Sequence, residues 1–177
     1  MSGHNKWSKI KHKKAASDAK KSKIYSKLVK LIHTESKIAN GDVNSPGLRA
    51  VIEKAKGENM PKDTIDRAVK KGASSDTAAM ERVVYEAYGP GGCALVITGL
   101  TDNKNRTAAE IKHLLSKNGL SLAAPGSASW AFQKEGADWV PNQMTSISCE
   151  DGEKLERIID DIEDNDDVQE VYTNADY

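Results

Sequence analysis

The stretch Arg82-Val-Val-Tyr-Glu-Ala-Tyr-Gly-Pro-Gly-Gly-Cys-Ala-Leu-Val-Ile-Thr-Gly-Leu100 decides the fold. Val83, Tyr85 and Ala87 alternate with Arg82, Val84 and Glu86, the period of two that gives a strand one buried face. Gly89-Pro-Gly-Gly92 reads as a turn. Cys93 to Leu100 is apolar on nearly every residue, as expected of a central strand covered on both faces. Together they predict a hairpin, and here the chain abandons the helical period of everything before it.

Upstream, Ala73-Ser-Ser-Asp-Thr77 is small and polar and reads as a linker. Ser17 and Asp18 can cap a helix running to about Asn40, with Ile24, Leu28, Leu31, Ile32 and Ile38 at helical spacing and Gly41 ending it. Ser45-Pro46 opens a second helix, with Leu48, Val51, Ile52 and Ala55 on one face and Gly57 at its close. Asn59-Met60-Pro61-Lys62-Asp63 starts a third, with Ile65, Ala68 and Val69 inward and Gly72 at its end. Three short amphipathic helices with short links make a small helical domain. Tyr25 and His33 read as packing partners within it, with contact to a base or ribose as the other option.

Downstream, Thr101 to Thr107 leads into a helix bearing Ala108, Ile111, Leu114 and Leu115, stopped by Gly119. Strands are expected around Ser127 to Gln133, containing Trp130 and Phe132, and near Met144 to Cys149. An acidic helix with Leu155, Ile158, Ile159 and Ile162 precedes a last strand, Val168 to Thr173. The class is therefore α+β: an N-terminal three-helix domain with a basic arm (1–75), then a sandwich of mainly antiparallel strands with two helices on one sheet face (76–177). An apolar fraction of 38% with one Phe and three Trp suits two small cores better than one large one.

The formal charge is zero, yet it is segregated. Residues 1–71 hold 18 Lys+Arg against 7 Asp+Glu, and residues 72–177 hold 8 against 19, so the two parts carry net charges of +11 and −11. That asymmetry points to a nucleic-acid face in the front part. Its extreme is the opening segment, where Lys6, Lys9, Lys11, Lys13 and Lys14 meet no acid and His4, Trp7 and His12 set flat rings among them. So polar a segment has too little apolar surface to fold alone. Its ammonium groups suit phosphates and its rings suit unpaired bases, whereas the plainer reading is a solvated tail. Lys20, Lys21, Lys23, Lys27 and Lys30 extend the cationic surface along the first helix.

Other chemistry finds little support. GxSxG, P-loop and HExxH patterns are absent. Cys93 and Cys149 lie on apparently buried strand patterns with no CxxC or His at metal-ligand spacing, and read as core thiols. Twelve acids crowd residues 150–177, but without the EF-hand order they read as a solvated helix face, and no cofactor or metal is expected. His113 reads as a surface residue. In the loop Thr101–Thr107, Lys104, Asn105 and Arg106 sit at a helix N-terminus, where a phosphate could dock. A loop whose polar groups satisfy its own backbone is the equal alternative.

No apolar run approaches the roughly 20 residues that cross a bilayer, and no apolar h-region follows the first lysines. Mitochondrial presequences favour Arg and Ser where this start uses Lys alone, so the expected compartment is the cytoplasm.

Four stretches resemble the YebC-type family: GHNKWSKIKHKKAASDAKKSKIYSKL, NMPKDTIDRAVKKG, the YEAYGPGG and TDNKNRTAAE pair, and DDVQEVYTNAD. That family covers bacterial proteins named as transcriptional regulators and the mitochondrial translational activator of cytochrome c oxidase subunit I. The motifs span almost the whole chain in order. Mitochondrial relatives carry an extension ahead of this start, where Met1 stands here, so the resemblance points to a bacterial protein. It implies a helical N-terminal domain and a nucleic-acid-binding role without an enzymatic reaction. Members are described as DNA-binding regulators and as ribosome-associated factors that help translation past proline-rich stretches. The binding role carries over to Lys6, Trp7, Lys9, Lys11, His12, Lys13 and Lys14, to Lys20, Lys21 and Lys23, and by extension to Lys104, Asn105 and Arg106. Relatives usually insert a further α/β domain after the Trp130 strand, whereas here residues 133–140 cross directly, so that third domain is absent or nearly so. Any partner contact or cleft it supplies in relatives is affected.

The sequence thus predicts a binding protein on ribosomal RNA that modulates translation, since Trp7 and the histidines suit exposed bases. A transcriptional regulator on duplex DNA is the alternative, opposed by abundant Lys, scarce Arg and no evident recognition helix. A small enzyme using the Asp102–Thr107 loop is a third reading, with no membrane or small-molecule partner expected.

Overall fold

The computed structural model describes residues 18–74, 79–136 and 138–177, with side-chain environments from Lys21 onward. They separate at Glu81/Arg82 into a helical unit and an α+β unit.

The helical unit contains α1 (Asp18–Ile38), α2 (Pro46–Gly57) and α3 (Lys62–Ala73), close to the helices the apolar spacing predicts. Leu28, Ile32, Leu48, Ala55, Ile65, Ala68 and Val69 form its buried core, joined by Met60, whose place in a loop hid it from periodicity. Ile38, counted with the apolar face, is 69% exposed. It ends α1, and the chain then turns through Asn40 and Gly41, both at positive φ, with Gly41 N–H donating back to the Ser36 carbonyl at 2.9 Å. The side chain is left beyond the core. Pro46 starts α2 as expected, while Ser45 makes no side-chain cap bond. Helices α1 and α3 approach closely at Gly72, and the buried Ser36 hydroxyl donates to the Val69 carbonyl at 2.7 Å.

The α+β unit is built on a four-stranded sheet of order β3-β1-β2-β7, with β1 Glu81–Tyr88, β2 Ala94–Thr101, β3 Leu122–Ala123 and β7 Val168–Thr173. A 3-10 turn at Pro90–Gly92 joins β1 to β2. Strand β2 is apolar apart from Thr98 and Thr101, because both its faces are covered. Cys93, Leu95 and Ile97 meet α4 (Lys104–Lys117) and α5 (Cys149–Glu163), while Ala94 and Val96 meet Ala128, Ala131 and Phe132. Antiparallel β7 pairs with β2 along Leu95↔Thr173 to Thr98↔Glu170, and a bulge then shifts the register to Gly99↔Val168. Strands β4 (Phe132–Glu135) and β5 (Asp138–Pro141) form an antiparallel hairpin, and short β6 (Thr145–Ser146) pairs in parallel with β8 (Ala175–Asp176).

Three expectations need correction. Trp130 is not in a strand: it lies on a 3-10 turn, Ser129–Ala131, and only from Phe132 is the chain extended. The strand expected near Met144–Cys149 shrinks to two residues, because Ser148 accepts from Asp151 N–H and starts α5, which leaves Cys149 exposed at its first position while Cys93 is buried. Glu86, placed on the outer face of β1 by alternation, is buried beneath the loop that precedes β4. Among the described residues no helix is long and apolar enough to cross a membrane.

Candidate nucleic-acid interface

Lys6, Trp7, Lys9, Lys11, His12, Lys13 and Lys14 lie outside the described residues. Lys20 belongs to α1 by its backbone, its side chain lying outside the description too. Lys21 is exposed and Lys23 half-buried on the same helix. Lys23, Lys27, Lys30 and Lys37 recur at steps of four, three and seven, which places them on one stripe of an α-helix. That stripe is turned away from the buried Leu28, Ile32 and Ser36. Across residues 18–74 there are 13 Lys and Arg against 7 Asp and Glu. Lys56 Nζ pairs with Glu53 Oε1 at 3.0 Å, an exposed pair of the kind that holds a cation only loosely.

Tyr25 and His33 serve packing. The Tyr25 hydroxyl donates to the Asn59 carbonyl at 2.8 Å and so ties α1 to the α2–α3 loop. Burial first, and the Lys71 ammonium second, hold the His33 imidazole below its ordinary value, so it stays neutral where a free histidine would charge.

The loop Thr101–Thr107 is organised from within. Asn103 caps α4 by accepting from Arg106 N–H at 3.1 Å. Arg106 Nη2 reaches Asp167 Oδ2 at 2.7 Å and Asp102 Oδ1 at 2.9 Å. Glu110 stands 3.9 Å from Arg106 Nε. Asp167 Oδ2 also accepts from the Thr107 hydroxyl at 2.8 Å and the Thr101 hydroxyl at 3.1 Å, both buried. Hydrogen bonds donated to Asp167 and then to Asp102 raise the Arg106 pKa, which fixes its charge on the clamp. Arg106, an exposed cation at this helix end, is already engaged by Asp102 and Asp167. Lys104 and Asn105 are exposed beside the clamp, and the Tyr85 hydroxyl donates to the Lys104 carbonyl at 3.4 Å. The geometry therefore weighs toward the self-satisfying loop.

Asp167 and Glu86 escaped the sequence reading. Asp167 was one of twelve clustered acids, and nothing local marks it as the partner of a loop sixty residues upstream. Glu86 accepts from the backbone N–H groups of Gly126, Ala128 and Ser129, each at 2.8 Å. Burial would raise its pKa, but these donors outweigh it and the carboxyl is held below its ordinary value. An acid alone in a neutral stretch, with a small-residue loop to receive, was the available signal. Among the described residues no three His, Cys, Asp or Glu side chains are placed to hold a metal ion.

Two family models match this chain. The one described as the TACO1/YebC protein N-terminal domain matches residues 5–75. The one described as the TACO1/YebC second and third domain matches residues 80–138 and 136–175. A "Probable transcriptional regulatory protein" of Fervidobacterium nodosum is 40% identical over 237 aligned positions, which cover 99% of this chain and 94% of that one. A protein of the same name from Desulfatibacillum aliphaticivorans is 47% identical over 178 positions, covering 99% of this chain and 72% of its own. The crystal structure of a conserved hypothetical protein from Aquifex aeolicus matches with a TM-score of 0.79 at 27% identity, over 90% of this chain and 91% of that one.

Proposed function

This chain belongs to the TACO1/YebC family, and from that premise we propose a non-enzymatic regulator of gene expression that acts in the cytoplasm by holding nucleic acid. Its relatives' name, "Probable transcriptional regulatory protein", supports the regulatory role. The observation that carries the binding role is the segregation of charge: 18 Lys+Arg against 7 Asp+Glu in residues 1–71, and the reverse imbalance after them. Phosphate contacts supply most of the affinity of such a surface. The arm residues Lys6 to Lys14 grip the strand, and Lys20, Lys21 and Lys23 continue the grip along α1. The clamp at Arg106 serves the fold of the second unit, with Lys104 and Asn105 at its rim.

The partner is ribosomal RNA on the ribosome, and the outcome is help to elongation. Only Arg49 and Arg67 are arginines among those 18 cations, which suits phosphate contact over reading of base edges. Trp7 and His12 offer rings to bases that RNA loops leave unpaired. Duplex DNA is the second reading, favoured by the relatives' name.

The working parts are residues 1–75 and 76–177, without the third domain of longer relatives. Three observations support this. The two matched blocks of the second and third domain meet at residues 136–138. The Fervidobacterium alignment needs 237 positions for a chain of 177 residues. Strands β4 and β5 pair from Phe132↔Pro141 to Glu135↔Asp138, a closed hairpin at the place of insertion.

Ribosome co-sedimentation at moderate and high salt, set beside duplex-DNA binding in the same buffers, tests the reading. Retention on ribosomes that weakens steeply with salt is expected. Indifference to ribosomes together with selection of one duplex sequence over scrambled duplex would replace it with the DNA reading.

A further inference from the structure

We infer that the junction of α1 and α3 is a phosphate site, in which His33 takes up a proton as a nucleic-acid phosphate arrives. The inference rests on the nucleic-acid reading above. It adds a site outside the arm, within the helical unit alone, and a pH dependence by which to recognise it.

Helix α3 lies on α1 at Gly72, directly against the backbone of His33, and the Ser36 hydroxyl bonded to the Val69 carbonyl fixes the contact. Lys71 precedes Gly72, and its ammonium acts on the imidazole. Ile65, Ala68, Val69 and Gly72 are the buried residues of α3, so Lys71 is the charged group this helix brings to the ring. On α1 itself, the residues one turn either side of His33 are Val29 and Lys30, then Ser36 and Lys37. None of these neighbours is acidic. Glu35, the acid closest in sequence, has its carboxylate beside Gly47 of α2. Two helices thus bring Lys30, Lys37 and Lys71 to one half-buried imidazole.

That grouping works against the fold, since like charges repel and the imidazole forgoes its own charge. A phosphodiester relieves both. Its oxygens accept from the ammonium groups, the repulsion on the ring falls, and an imidazolium N–H then donates to the same anion. A ring kept neutral by burial and by Lys71 therefore becomes charged when the site fills. Because the bound ring carries the higher pKa, affinity rises as pH falls through the bound value and levels off below the free one. Lysines alone, charged at every such pH, give no such dependence.

The test is calorimetric titration of the full chain with single-stranded oligo-U of about 12 nucleotides, in buffers of different ionisation enthalpy near pH 6.5, which counts the protons exchanged. The other histidines are His4, His12 and His113. With all three replaced by Gln, His33 is the remaining imidazole and the junction is untouched. Uptake of up to about one proton per chain is expected there, with affinity about fivefold higher at pH 6 than at pH 8. Adding His33→Gln is expected to remove the uptake, and circular dichroism checks that this variant folds. Lys71→Ala, at an exposed position, is expected to flatten the salt slope by about 0.7 and to shrink the uptake, since the free ring then titrates higher. Uptake that survives His33→Gln overturns this site alone, and so does RNA binding without uptake in the chain that keeps only His33. Uptake with duplex DNA of matched length and none with RNA keeps the site and moves the function to its second reading. A chain that binds neither overturns the site together with the function on which it rests.

Discussion

Glu86 and Asp167 are carboxylates drawn out of solvent, and each spends its charge on the backbone or hydroxyls of a distant segment. Glu86 joins β1 to residues 126–129 through three N–H donors. Because its folded pKa lies below the ordinary 4.5, the unfolded chain binds protons more readily near that pH. Its contribution is complete above the unfolded value and is lost as pH falls toward the folded one. Glu86→Gln should cost the α+β unit about 3 kcal/mol at neutral pH, since an amide N–H would face backbone N–H groups. The deficit should narrow on acidification through pH 4. Urea unfolding at both pH values measures it, and a deficit that stays constant would mean that the protonated acid serves as well. Arg106 tests a different question. Its guanidinium is committed to Asp167 and Asp102, so Arg106→Ala should lower the stability of this unit and leave RNA affinity and its salt slope as they were. A flatter slope in that variant would put a phosphate at the loop after all.

At the scale of elements, Gly72 shows what sets the helical unit. A Cβ there would stand 2.7 Å from His33 Cα and 2.8 Å from both the His33 carbonyl oxygen and Ser36 Cβ. Helix propensity alone favours Ala over Gly by about 1 kcal/mol. The clash is with backbone and cannot be relieved by a side-chain rotation, so Gly72→Ala should still destabilise by about 1–3 kcal/mol as α3 is pushed off α1 and the Ser36–Val69 bond stretches. A rise in unfolding temperature would show the helices free to part. Sequence spacing called Gly72 a helix end and could not see the neighbour that requires it. The same limit explains the rest. Helices α1 to α5 and strands β1, β2 and β7 were legible because each carries its own apolar period. Trp130 was misplaced because its 3-10 turn is imposed by Glu86, forty residues away. Strand β6 survives as two residues because the Ser148 cap overrides an apolar alternation. Of the candidate site, the lysines were legible as charge, and the role of Arg106 was not, since Asp167 is distant in sequence.

For the whole molecule, the decisive property is that opposite charges occupy different parts of one neutral chain. A front part so charged would attract a polyanion, and the acid-rich part would repel it. Replacing Lys9, Lys11, Lys13 and Lys14 with Ala removes four of the five arm lysines. If each meets a phosphate of single-stranded RNA, the slope of log affinity against log salt should flatten by about 3. The unfolding of both units should be unaffected, because lysine side chains are almost never fully buried. An equal loss at every salt concentration with the slope intact would show that the phosphates are met elsewhere, and the stripe from Lys23 to Lys37 would then be the surface to replace. Affinity and slope must be read together, because a stacking ring and a lysine can lower affinity by the same factor, yet only the lysine releases counterions.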